Sequence, residues 1–215
     1  MNKSEITLIT ADDHPMLLKG LSDELQLNGY TVLGQAGNGA QALELILFHK
    51  PILAFLDIDM PILNGFEVIR TARSKGSQTK FIILSFHKEP YYIAQAKALQ
   101  IDGYLLKEDS FLEVNNCIKK IMDGTTYFSR SIDGKQIVQA TDELGRLDRL
   151  SLSEIKILKL IAKEISNQDI ADQLSLSVRT IEKHRSNIIE KLELQKGNNA
   201  LTKWALINRS VILTK

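Results

Sequence analysis

Apolar and polar positions follow two alternating rhythms along the first 125 residues. Five short β-rich runs recur: ITLIT (6–10), TVLGQA (31–36), ILAFLD (52–57), KFIILS (80–85) and DGYLLK (102–107). Between them apolar residues return every three or four positions, over 14–28, 39–49, 64–75, 88–100 and 109–123, as on amphipathic helices. The third and fourth runs are nearly continuously apolar, which suits strands covered on both faces. Asn28-Gly29, Asn38-Gly39, Lys50-Pro51 and Asp123-Gly124 punctuate the element edges. Five such units predict a doubly wound α/β domain with a parallel sheet, a flavodoxin-like (βα)5 fold.

From residue 148 the rhythm is helical only. Ser151-Leu-Ser-Glu154 fits a capping box that opens a helix to about Glu164. Ser166-Asn-Gln-Asp169 opens a shorter one, SLS (175–177) reads as a tight turn, and Ser177 can cap a third helix over 178–193. There Ile181, Ile188 and Leu192 share one face, opposite Arg179, Glu182, Lys183 and Ser186. Two helices around a short turn, the second with a polar and partly basic face, predict a helix-turn-helix whose second helix enters the major groove. A last helix over 198–212 completes a four-helix, all-α domain. It carries two stripes: Leu201, Ala205 and Ile212 toward the core, and Ala200, Trp204, Ile207 and Val211 along another face. A domain this small buries one stripe easily, and the second suggests a partner. Residues 126–147 separate the domains (1–125 and 148–215) and read as a linker, with a short helix expected near Gly134–Thr141.

Charge sharpens this division. The net charge of the 215-residue chain is +1, but residues 1–125 hold 12 basic and 15 acidic side chains and the remainder 15 and 11. An acidic front and a basic back imply different partners. The longest apolar run, Ile52–Leu56, is too short to cross a bilayer. The opening MNKSEITLITADD has no signal-peptide core, so the cytoplasm is the expected compartment. Cys117, the single cysteine, falls in a helical apolar pattern and reads as a buried thiol.

The candidate chemistry lies at the predicted strand ends. Strand one runs into Asp12-Asp13, strand three into Asp57, strand four into Ser85 and strand five into Lys107. In this fold they converge on one rim. Three neighbouring carboxylates repel one another unless a cation intervenes. An all-oxygen donor set suits Mg2+, which can also hold a phosphoryl group. A carboxylate attacking phosphorus would give an aspartyl phosphate, with Lys107 and Ser85 binding two other phosphoryl oxygens.

Residues 5–125 resemble the receiver domain of two-component response regulators, through ADDHP, FLDIDMPILNG, ILSFH and GYLLK in order and spacing. The resemblance implies that Asp57 is the phosphoacceptor and that Asp59 gives only its backbone carbonyl to the metal. It implies that Asp13 binds the metal directly, that Asp12 binds it through water, and that Ser85 and Tyr104 form a switch pair whose ring turns inward on phosphorylation. Two positions depart from the pattern. Phe86 stands where a small residue is usual, and its ring is expected to exclude water and small phosphodonors. Glu108, not proline, follows Lys107.

The stretch LSLSEIKILKLIAKEISNQDIADQLSLSVRTIEKHRSNIIEKL resembles the LuxR-type output domain of the NarL/FixJ regulators. This implies base-edge contacts from Glu182, Lys183 and Ser186 and phosphate contacts from Arg179, His184 and Arg185, with Thr180 on the same DNA-facing element. It also implies dimerisation through the last helix, anchored by Trp204. KGNNA (196–200) departs from the family's usual turn. The expected function is a DNA-binding transcriptional regulator, not an enzyme, switched by a sensor histidine kinase and acting as a homodimer on DNA. Two rivals stand beside it. LDID also resembles the nucleophile motif of haloacid-dehalogenase-type phosphatases, although there the motif follows the first strand. A receiver that works as a binding module without phosphorylation is the other.

Overall fold

The computed structural model describes residues 2–132, 145–194, 197 and 199–214. The chain divides into two compact units, residues 1–133 and 134–215. The helix expected near Gly134–Thr141 lies outside the described residues.

The first unit alternates strands and helices: β1 (Thr7–Ala11), α1 (Pro15–Leu27), β2 (Thr31–Ala36), α2 (Gly39–His49), β3 (Leu53–Leu56), α3 (Gly65–Ser74), β4 (Lys80–Ser85), α4 (Pro90–Ala98), β5 (Gly103–Leu106), α5 (Phe111–Met122) and β6 (Tyr127–Phe128). All paired strands are parallel, in the order β2-β1-β3-β4-β5-β6. Every residue of β3 is buried, as its unbroken apolar run requires. Leu8, Leu53, Phe55, Ile82 and Leu105 of the sheet pack with Val114, Cys117, Ile118 and Ile121 of α5. The Cys117 thiol is buried as expected, and burial pushes its pKa above the ordinary range. The chain leaves β1 for β2 on one side and later returns to β3 on the other. The crevice at the carboxyl ends of β1 and β3 is therefore the topological switch point, where such sheets bind ligands.

A sixth strand joins the five expected. Tyr127 and Phe128 pair with Gly103 and Tyr104 of β5. The Tyr127 hydroxyl donates to Glu113 Oε1 at 2.6 Å, and Ser129 N donates to the Tyr104 carbonyl at 2.8 Å. Two residues are too few to show a period-2 pattern, so this strand was hidden in what reads as linker.

The second unit comprises α6 (Leu152–Ala162), α7 (Asn167–Leu174), α8 (Val178–Lys191), α9 (Ala200–Ile207) and α10 (Arg209–Thr214). Ser151, Ser166 and Ser177 each accept a backbone N–H three residues on, so all three expected caps form. Ile157, Leu158, Ile161, Ile170, Ile181, Ile188, Leu192, Leu201, Ala205 and Ile212 are buried together with small side chains of the same unit. The last helix, expected to be continuous, is divided at Asn208. Its side-chain amide donates to the Trp204 carbonyl at 2.9 Å, which also accepts its backbone N–H at 3.0 Å.

One buried ion pair ties this unit together. Glu154 is 3% exposed, and its Oε2 accepts from Ser151 N and Lys191 Nζ, both at 2.7 Å. Burial opposes its charge, but the bonds from Lys191 and Ser151 outweigh that and hold its carboxyl below the ordinary value of 4.5. A lowered carboxylate pKa contributes stability above the unfolded value, and that stability is lost as pH falls through the folded value. Glu154→Gln is thus expected to cost about 1–2 kcal/mol at neutral pH, since Lys191 is partly solvated. Denaturant unfolding at successively lower pH should show the gap between the two proteins closing below about pH 4.5.

Candidate phosphoacceptor site and DNA-facing helix

The strand ends deliver the predicted side chains to one pocket. Lys107, just past β5, sits between two carboxylates: its Nζ is 2.8 Å from Asp12 Oδ2 and 2.9 Å from Asp57 Oδ2. The Lys107 and Asp57 side chains are only 3% and 4% exposed. Asp57 Oδ1 accepts Ile58 N–H at 2.7 Å. Burial raises the Asp57 pKa and the Asp12 charge adds to this, while Lys107 acts in the opposite direction. Burial disfavours the Lys107 charge, but hydrogen bonds to Asp12 and Asp57 outweigh it and raise its pKa. One ammonium thus faces the carboxylates of a buried cluster.

The ligating atoms of Asp12, Asp13, His14 and Asp57 all lie within 4.8 Å of one another. Three carboxylates against one lysine leave an excess of negative charge that a dication offsets, and the oxygen donors fit a hard cation. His14 was not anticipated here. Its Nδ1 lies 2.9 Å from Asp13 Oδ1 and 3.2 Å from Asp12 Oδ1, because the ADDHP run that supplies the acids continues directly into His14 as the α1 N-cap.

Local sequence explains the placement. Asn64 and Glu67 form a capping box at the start of α3. Gly65 N donates to the Ile58 carbonyl at 3.0 Å, folding the β3–α3 loop back beneath Asp57. A Cβ at Gly65 would stand 2.3 Å from the Asp57 carbonyl oxygen, so only glycine fits there.

The remaining residues are arranged around β4. Ser85 is 1% exposed and its Oγ accepts His87 N–H at 3.2 Å. Tyr104 is fully buried and its hydroxyl donates to the His87 carbonyl at 2.9 Å. The ring expected to turn inward on phosphorylation is therefore already inside. Asp59 is separated from the pocket chemistry: its Oδ2 meets His87 Nε2 at 2.6 Å and its side chain is 66% exposed. The Phe86 ring centroid lies 5.3 Å from Lys107 Nζ, although 61% of the residue remains exposed. Glu108 pairs with Lys88, and the peptide bond following Lys107 is trans.

On α8, Arg179, Glu182, Lys183 and Ser186 are exposed along one face, while Ile181 and Ile188 are buried. Thr180 is committed to the cap, with its Oγ1 2.7 Å from Ser177 Oγ. Arg185 is half-buried and donates to Thr202 Oγ1 at 2.9 Å; burial lowers its pKa. It packs toward α9, whereas Arg179 is exposed. His184 is half-buried, and its Nδ1 has no hydrogen-bond partner among the described residues. Ala200 and Trp204 are half-buried, while the side chains of Ile207 and Val211 lie outside those described. Among the described residues no helix is long and apolar enough to cross a membrane.

Comparison with known proteins agrees with this division. Residues 8–119 match the response regulator receiver domain, and residues 148–203 match the bacterial regulatory proteins of the luxR family. The uncharacterised transcriptional regulatory protein YvfU of Bacillus subtilis is 34% identical over 196 residues, covering 91% of this chain and 94% of its own. The DNA-binding transcriptional activator EvgA of Escherichia coli K12 is 27% identical, covering 86% and 90%. Among solved structures, the response regulator RcsB in complex with DNA superposes with a TM-score of 0.65 at 21% identity, covering 94% and 98%. The receiver domain of the NarL regulator of Mycobacterium tuberculosis gives a TM-score of 0.51 at 35% identity over 55% of this chain and 94% of its own. A buried Asp–Lys–Asp pocket on a parallel sheet, a helix-turn-helix with a polar second helix, and matches to both halves lead to one assignment: the chain belongs to the response regulators that join a receiver domain to a LuxR-type DNA-binding domain.

Proposed function

We propose that Asp57 is the phosphoacceptor of a transcription factor switched by a sensor histidine kinase. The observation that carries this is the Lys107 ammonium held between Asp12 and Asp57, with all three side chains buried. In this reading the receiver spans residues 1–125, and 126–147 connect it to a DNA-binding domain over 148–215. Asp13, Asp57 and the Asp59 carbonyl, with Asp12 acting through water, would hold Mg2+, which would supply charge neutralisation at the phosphoryl oxygens. Within the pocket, an Asp57 carboxylate oxygen attacks phosphorus as the bond to the donor breaks. Ile58 N–H orients the carboxylate, Lys107 neutralises a phosphoryl oxygen, and the Ser85 hydroxyl leaves His87 N–H to bind another. Asp13, at the pocket edge, needs only to keep its carboxylate toward the cation.

The output is a homodimer on paired half-sites, with α8 in the major groove and Trp204 at the dimer face. Glu182, Lys183 and Ser186 read bases, and Arg179 binds phosphate. The cytoplasm is the proposed compartment. The test is to label the protein with acetyl phosphate, with and without Mg2+, and to select DNA sequences with the phosphorylated and unphosphorylated protein. Mg2+-dependent label that increases affinity for a selected site is the expected result. Label without Mg2+, or selection of no site, overturns the reading.

The DNA assignment makes a sharper prediction. Lys183→Ala should change sequence preference, whereas Arg179→Ala should weaken binding to all sequences and reduce the salt slope by about one. Uniform weakening by both variants would mean that α8 is oriented differently in the groove.

Phe86 makes another. Its ring centroid lies 5.3 Å from Lys107 Nζ, and in this reading the ring stands in the path of water or a small phosphodonor. Each ~1.4 kcal/mol added to the hydrolysis barrier slows decay tenfold. Phe86→Ala is expected to shorten the life of phospho-Asp57 and to speed loading by acetyl phosphate, both measured with Mg2+ and no kinase. Equal decay would mean that the exposed part of the ring serves another surface.

A further inference from the structure

The Asp59 carboxylate has a structural task. It bonds His87, the second residue of the four that connect β4 to α4, at 2.6 Å. The His87 ring is also stacked on Tyr92, with centroids 3.8 Å apart and planes 11° apart, and its Nδ1 lies 3.6 Å from Glu89 Oε2. The imidazole is therefore held by Asp59 at one nitrogen, Glu89 near the other, and an aromatic ring on its face.

The backbone of this same residue holds both switch side chains. His87 N–H donates to Ser85 Oγ at 3.2 Å, and its carbonyl accepts the Tyr104 hydroxyl at 2.9 Å. The next residue, Lys88, pairs with Glu108 in the β5–α5 loop. The connecting segment is thus anchored on both flanks, to the loop after β3 and to the loop after β5. Phe128 of β6 completes the enclosure, stacked with Tyr104 at 6.2 Å and 9°.

We propose that the Asp59–His87 pair, backed by Lys88–Glu108, is a brace that holds the β4–α4 segment closed with Tyr104 turned in before any phosphoryl group arrives. His87 is then a positioning residue for Ser85 and Tyr104. The proposal rests on the phosphorylation switch described above and adds its resting position. A conformational equilibrium shifts only by the free-energy difference that contacts make between its states. The brace exists only when the segment is closed, so it biases that state without a ligand. Phosphorylation then completes an arrangement already formed, chiefly by recruiting the Ser85 hydroxyl.

The experiment uses the full chain labelled with 3-fluorotyrosine, observed by fluorine NMR, with the Tyr104 resonance assigned by Tyr104→Phe. Without phosphodonor, the wild type is expected to show one buried Tyr104 resonance. His87→Ala should add a solvent-exposed resonance, as the closed-to-open ratio falls by about tenfold, the scale of a modest coupling free energy. His87→Gln keeps a donor near the Nε2 position and should largely restore the wild-type spectrum. Lys88→Glu and Glu108→Lys should each loosen the ring, and the two together should restore it. An exposed ring in the wild type, or an unchanged spectrum in His87→Ala, overturns the brace. These comparisons involve no phosphoryl group and stand apart from the function reading. Adding beryllofluoride with Mg2+ to His87→Ala then tests that reading, which predicts return of the ring to its single buried resonance. A brace that behaves as stated while beryllofluoride changes nothing counts against the phosphorylation switch alone.

Discussion

Asp57→Asn is expected to abolish labelling by a kinase or by acetyl phosphate, and chelation of divalent cations should do the same to the wild type. Asp57 is the only one of the two acids in the β3–α3 loop whose carboxylate enters the pocket. Its two oxygens are committed to Ile58 N–H at 2.7 Å and to Lys107 at 2.9 Å. The amide of asparagine keeps the shape but supplies no anionic oxygen to attack phosphorus. A barrier higher by roughly 4 kcal/mol already means a thousandfold loss, below detection in a labelling experiment. Asp59→Asn should retain most of the label, because that side chain bonds His87 and the proposed metal site uses only its backbone carbonyl. Acyl phosphates are cleaved by hydroxylamine, so hydroxylamine-labile label on each protein provides the measurement. Stable label on Asp57→Asn would move the phosphoacceptor elsewhere.

The acids at the strand ends were legible because the fold itself signals them. A parallel sheet is written as buried apolar runs, and its ligand rim follows from topology, so Asp12, Asp57 and Lys107 could be brought together before any distance was known. Capping serines were legible for a similar local reason: Ser151, Ser166 and Ser177 precede their helices in sequence and in space. What escaped was short or nonlocal. Two residues of β6 carry no periodicity. The partnerships His87–Asp59 and Lys88–Glu108 span 28 and 20 residues and depend on how two loops lie across the rim, which no periodicity records. Arg185 shows the same limit within one helix. It stands beside Lys183 and His184 in a basic stretch, yet helical rotation turns it toward Thr202 and away from the exposed face. Asn208 reads as one more polar position in a helical pattern, and its bond to Trp204 became evident only with the backbone in place.

Gly65→Ala is expected to damage both the fold and the site, and to do so through the backbone. The added methyl carbon would meet the Asp57 carbonyl oxygen at 2.3 Å and its carbon at 3.1 Å. Neither neighbour can yield easily. Asp57 N–H is bonded to the Ala11 carbonyl at 2.9 Å and Gly65 N–H to the Ile58 carbonyl at 3.0 Å, while the Asn64–Glu67 box fixes the first turn of α3. The clash must therefore be relieved by moving the chain that carries Asp57, at a cost of about 3 kcal/mol, toward the upper end of overpacking effects. Gly76→Ala is the control. Gly76 has a φ of +81° but nothing within 4 Å of its missing Cβ, so its cost is the left-handed backbone alone, about 1–2 kcal/mol. Urea unfolding should rank Gly65→Ala as the less stable protein. Labelling by acetyl phosphate under folding conditions should separate the two further: Gly76→Ala, at the far end of α3, should load like the wild type, and Gly65→Ala should load more slowly even where it is folded. Equal loading by both variants would show that the β3–α3 loop can shift without carrying Asp57 with it, and that the close approach at Gly65 matters for packing alone.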